Sequence, residues 1–231
     1  MKTLGLIGGL SWESTAIYYR LINEATKARL GGLHSAPMLL WSSDFAPVAE
    51  HQMAGAWGDL ETAMVDAARR LTNAGAEALL ICSNTMHKLY EAVQASVTVP
   101  VLHIADATAA AMLKKGCRNP ILLATRFTME QQFYTGRLRD VHGIRTVLPD
   151  EAARTSVHAI IYNELCQGIV RPESKETYLA EIAKLSRQDA DSVILGCTEV
   201  GMLIGQRDID LLVFDTTEIH ATAAVDYALG G

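Results

Sequence analysis

Apolar residues in this chain fall into short blocks, and between the blocks they recur every three or four positions. The blocks are 3–7, 37–41, 78–82, 99–104, 121–124, 192–195 and 211–214. Each is apolar along nearly its whole length, which predicts strands buried on both faces. A weaker block at 145–148 is a further candidate strand. The stretches between predict helices. Ser11 is placed to N-cap the first, which runs through Tyr18, Leu21 and Ile22, carries Glu13 in its first turn and stops at Gly31-Gly32. The next covers 59–74, with Leu60, Met64, Ala67, Ala68 and Leu71 on one face and Gly75 at its end. Others are predicted at 86–95, 105–115, 129–140, 151–168, 173–186 and 217–229, with loops at 83–85 and 125–128. Strands alternating with helices predict an α/β protein whose parallel sheets are flanked by helices.

The spacing repeats. Gly8 and Ser83 are 75 positions apart, and Ala124 and Cys197 are 73 apart. Each interval runs from the end of one predicted strand to the end of a later one. Each closes on a small polar motif, Ser83-Asn84-Thr85 in the first half and Cys197-Thr198-Glu199 in the second. This predicts two topologically similar halves. Ligands of parallel α/β sheets bind beyond the carboxyl ends of the strands, where both motifs fall.

Composition narrows the function. The chain has 231 residues, enough for one domain or two small ones. Its charge of −6, without a dense Lys/Arg run, argues against nucleic acid as a partner. No apolar run approaches the roughly 18 residues that span a bilayer, so no membrane partner is expected and the protein is expected in the cytoplasm. Cys82, Cys117, Cys166 and Cys197 make neither a CxxC pair nor a zinc spacing. Gly5-Leu6-Ile7-Gly8-Gly9 lacks the third glycine of a dinucleotide loop and the lysine of a phosphate loop.

Cys197 follows a buried strand and Gly196, with Thr198 and Glu199 suited to the first turn of a following helix. There its thiolate would gain from exposed N–H groups, making Cys197 the foremost nucleophile or proton-transfer candidate. A buried structural thiol fits the same position. Ser83-Asn84-Thr85-Met86-His87 occupies the matching place in the first half. Its side chains and N–H groups can hold a carboxylate, or simply cap a turn. Cys82 and Ser83 are strand neighbours and point to opposite faces.

The segments from Gly8 to Thr15, Ser83 to His87, and Gly196 to Glu199, in that order, resemble the motifs of the aspartate/glutamate racemase family. The likeness extends over essentially the whole chain and is greatest to the bacterial broad-specificity amino-acid racemases. It implies two pseudo-symmetric α/β domains, 1–104 joined by about 211–231 and 105–210, with the active site in the interdomain cleft. It also implies a homodimer that uses neither pyridoxal phosphate nor metal, and an amino acid as the small-molecule partner. Two cysteines of the typical family member exchange the α-proton from opposite faces. Cys197 matches one and, by the resemblance, serves the L-substrate. Leu10, Ser11, Gln52, Asn84, Thr85, Glu164 and Thr198 match substrate-binding positions.

The chain departs from the family pattern twice. Ser83 stands where the first cysteine is usual, and a hydroxyl without an adjacent base cannot rest as an alkoxide. Ser83 can still deliver a proton, so the L-to-D direction is expected to be favoured kinetically. Residues 44–52 contain no Arg or Lys, and Glu164 falls where a lysine is expected. An unpaired Glu there would repel a distal carboxylate, which favours a neutral polar amino acid such as homoserine over aspartate or glutamate. The rival readings are a one-cysteine decarboxylase of malonate-type acids and a weakly active amino-acid-binding protein.

Overall fold

The computed structural model describes residues 1–230. The chain divides into two units, one comprising Met1–His103 and the segment from His220 onward, the other Ile104–Ile219.

The first unit is built on β1 (Leu4–Gly8), α1 (Trp12–Leu30), β2 (Met38–Ser42), α2 (Phe45–Ala54), α3 (Trp57–Asn73), β3 (Ala78–Ile81), α4 (Tyr90–Ala95) and β4 (Val101–Leu102). Its sheet is parallel, with strand order β2-β1-β3-β4. The pleat explains why the strands are apolar throughout. Leu4 and Leu6 of β1 and Ala78 and Leu80 of β3 pack with Tyr18 and Ile22 of α1. Ile7, Leu79 and Ile81 turn to the other face, against Leu60, Met64, Ala67, Ala68 and Leu71 of α3. A Cβ at Gly5 would lie 2.8 Å from Ala76 Cβ, so only glycine lets this layer close.

The second unit contains α5 (Ile104–Lys114), β5 (Pro120–Leu123), α6 (Arg126–Glu130), α7 (Gln132–His142), α8 (Glu151–Asn163), α9 (Pro172–Leu185), β6 (Ser192–Leu195) and β7 (Leu212–Asp215). The last helix, α10 (Thr216–Leu229), starts in this unit and ends in the first. The second sheet is parallel in the order β5-β6-β7, and Val147 adds a single parallel bridge to Ile121 at the outer side of β5. With that bridge counted as the remnant of an edge strand, the order reproduces that of the first sheet. The duplication legible in the spacing is therefore present in the topology.

Several elements differ from the sequence expectation for local reasons. α2 lies in a stretch to which the sequence pattern assigns no element, and its Pro47 falls in the first turn, where the missing N–H costs nothing. Asp44 caps that helix by accepting from Ala46 N–H. The strand expected at 99–104 shrinks to two residues. Pro100 has no N–H to give, and Val101 N–H donates to Gln94 Oε1 at 2.8 Å. The loop expected at 125–128 is the start of α6, capped by Thr125. The expected return of the chain to the first domain near residue 211 moves to 220, because β7 pairs with β6 and stays in the second unit. Among the described residues, no helix is long and apolar enough to cross a membrane.

Candidate active site

In each unit the polar motifs stand at the carboxyl ends of the central strands. After β1 the chain turns at Gly9, whose φ of +69° and contact with the Ser43 backbone leave no room for a side chain. The Leu10–Ser11 peptide is cis. Ser11 is buried and caps α1, its Oγ accepting from Ser14 N–H at 3.2 Å. Gly9 N–H donates to Thr15 Oγ1 at 2.8 Å, and the Thr15 hydroxyl donates to Ser11 O at 2.9 Å. The Ser14 hydroxyl donates to Cys82 O at 3.1 Å, tying this loop to the end of β3.

Cys82 faces the α1 side of the sheet and is fully buried, which pushes its thiol far up. Ser83 comes next, half-buried, and opens a 3₁₀ turn over Thr85–Leu89. Its Oγ accepts from Met86 N–H at 3.4 Å, and its carbonyl accepts from His87 Nδ1–H at 2.7 Å. Asn84 and Thr85 are buried beside it. Gln52 of α2 is buried and donates from Nε2 to Met86 Sδ at 3.1 Å. Leu10 and Met86 share one apolar cluster. Leu10, Ser11, Gln52, Ser83, Asn84 and Thr85 all belong to the first unit.

In the second unit, Gly196 lets the turn after β6 lie against β5, since a Cβ there would sit 2.7 Å from Leu122 Cδ1. Cys197 is 9% exposed and Glu199 only 2%. Cys197 Sγ–H donates to Glu199 Oε2 at 2.9 Å, and the Thr198 hydroxyl donates to the same oxygen at 2.7 Å. Burial raises the Cys197 thiol well above its ordinary value, and the Glu199 carboxylate raises it further. This corrects the expected helix-stabilised thiolate. The element beyond Glu199 is a 3₁₀ turn of three residues, Val200–Met202, which supplies no helix dipole, and the nearby charge is negative. Tyr162 of α8 and Tyr178 of α9 are within electrostatic reach of Cys197, Cys166 and Glu199, and burial raises both phenols.

Glu164, at the end of α8, is not the bare carboxylate envisaged. Its Oε2 accepts from the Ser174 hydroxyl at 2.6 Å, and Arg171 Nε lies 3.9 Å from its Oε1. Sequence reasoning missed two residues. Glu199 stood inside a recognised motif, but only folding shows that its side chain turns back on Cys197. His87 likewise turns back on Ser83, a bond of the i to i+4 kind that carries no periodicity signal.

The chain matches the family model described as Asp/Glu/Hydantoin racemase over residues 7–224. It is 23% identical to the broad-specificity amino-acid racemase RacX of Bacillus subtilis, over 96% of each chain. Among solved structures, it is 49% identical to a candidate Asp/Glu racemase from Yersinia pestis, covering 99% of this chain and 100% of that one with a TM-score of 0.92. It is 32% identical to PH1733, an aspartate racemase homologue from Pyrococcus horikoshii, with a TM-score of 0.85 over 99% of this chain and 100% of that one.

Proposed function

Because the chain belongs to the Asp/Glu/hydantoin racemase family of isomerases, we propose that it exchanges the α-proton of an acidic or neutral polar amino acid without pyridoxal phosphate or metal. The observation that carries the reading is the buried thiol–carboxylate pair Cys197–Glu199, at the position in the second unit that Ser83 holds in the first. In this reading Cys197 serves one face of the α-carbon and Ser83 the other.

At rest Cys197 is a thiol, held there by burial and by Glu199. An arriving amino acid brings a cationic ammonium group that offsets both effects. The thiol proton can then pass along its existing hydrogen bond to Glu199, leaving a thiolate that takes the α-proton of the L-substrate. Carboxylate recognition falls to Asn84, Thr85, Ser11 and the loop amides, the Thr198 N–H among them, which stabilise the charge that develops as the C–H bond breaks. Ser83 gives its hydroxyl proton to the opposite face and recovers one through water. A serine hydroxyl is a poor base, so removal of the proton from the D-substrate is the harder step. The equilibrium between enantiomers is near unity, so the asymmetry resides in kcat and KM separately, while kcat/KM stays balanced.

With Glu164 held by Ser174 and Arg171 3.9 Å away, the preference for a neutral polar side chain such as that of homoserine rests on the lack of Arg and Lys in residues 44–52. The reading includes a cytoplasmic homodimer. The test is α-proton loss in deuterium oxide, followed by NMR for L- and D-amino acids, with Cys197→Ala alongside. Wild type should exchange and racemise, and Cys197→Ala should lose about a hundredfold or more, as expected for removal of a general base. Full activity in Cys197→Ala, or carbon dioxide release from a malonate-type acid without exchange into amino acids, contradicts the reading.

A further inference from the structure

Under the Ser83 turn lies a group of buried rings that the proposed reaction leaves unused. His87, His103 and His220 are all buried. The His87 ring centroid is 4.7 Å from that of His103 and 5.7 Å from that of His220. Tyr90 packs edge-on to His103 at 4.5 Å. His220 Nε2 lies 2.9 Å from Leu102 O, and its Nδ1 lies 2.8 Å from Tyr18 OH. A carbonyl oxygen only accepts, so His220 carries its proton on Nε2 and takes the tyrosine proton on Nδ1. The same reasoning places the His87 proton on Nδ1, donated to Ser83 O at 2.7 Å. His103 is the last residue of the first unit before the chain crosses, and His220 is the first on its return.

The His87 ring is therefore wedged between side chains that are themselves anchored, and its one directed proton is spent on Ser83. We propose that His87 is a positioning residue: through the Ser83 carbonyl it fixes the backbone that aims Ser83 Oγ at the substrate. This rests on the reading of Ser83 as the proton donor on the face opposite Cys197. A bond that merely capped the turn would stabilise the fold and affect both proton transfers alike. A positioning bond affects only the Ser83 side.

The experiment compares wild type, His87→Leu, His87→Asn and His87→Gln with L-homoserine and with L-aspartate in deuterium oxide. The readout is the ratio of deuterium in recovered L-amino acid, which Cys197 alone can introduce, to deuterium in D-amino acid, which needs Ser83. His87→Leu should raise that ratio about tenfold or more, the scale of loss expected when a reacting group is misplaced by about an ångström. Asparagine presents an N–H close to the place of Nδ1 and should bring the ratio back to within about threefold of wild type. Glutamine, whose amide lies one methylene further out, should not. If His87→Leu does not fold, the comparison of asparagine with glutamine decides alone. A ratio that matches wild type in all variants, or asparagine and glutamine behaving alike, overturns the inference. A wild type that neither exchanges nor racemises overturns the functional reading first, and this inference with it.

Discussion

Glu199 accepts two hydrogen bonds on one buried oxygen, from the Cys197 thiol and the Thr198 hydroxyl. Its charge opposes the thiolate, and its lone pairs offer the thiol proton somewhere to go. Glu199→Gln separates these effects. Removing the negative charge should lower the Cys197 pKa, so thiolate absorbance and alkylation by iodoacetamide should begin at lower pH than in wild type. Removing the acceptor should at the same time cut racemisation by about a hundredfold or more. Activity retained together with the lowered thiol pKa would show that the carboxylate is not the acceptor. The motif residues were legible in the sequence because they stand at strand ends, where loops must begin. Glu199 and His87 were not recognised as partners, because which way a side chain turns within a motif is decided by folding and not by spacing.

At the scale of elements, the strands were legible because both faces of each sheet are covered, which leaves unbroken apolar blocks such as Leu79 to Ile81. Where the sequence misled, local chemistry prevailed over pattern: Pro100 at the edge of β4, and β7 retained by β6. His220 joins α10 to β4 and to α1, and burial together with the neighbouring His87 lowers its pKa to about 3. Unfolded, the imidazole titrates near 6.5, so the unfolded chain binds a proton that the folded one refuses. Stability contributed by neutral His220 is complete above about pH 6.5 and is lost as pH falls toward 3. Urea unfolding at pH 7 and pH 4.5 should show wild type losing about 2.5 kcal/mol more than His220→Gln across that interval. Equal losses would mean that the imidazole is protonated in the folded protein.

Over the whole molecule, one strand order is used twice, and the second copy has lost an edge to a single bridge at Val147. Duplication gives two matching strand ends, and the chain has filled them unequally, with a hydroxyl at Ser83 and a carboxylate-paired thiol at Cys197. The central proposal is that these two groups serve opposite faces of one α-carbon. Ser83→Cys tests it most directly, through initial rates of L-to-D and D-to-L conversion measured over a range of substrate concentrations. In wild type, kcat should be higher from L to D than from D to L. A second thiol should raise the D-to-L kcat by about tenfold or more, as expected for supplying a competent base, and bring the two values together. Two kcat values whose ratio is the same with serine or cysteine at residue 83 would contradict the account.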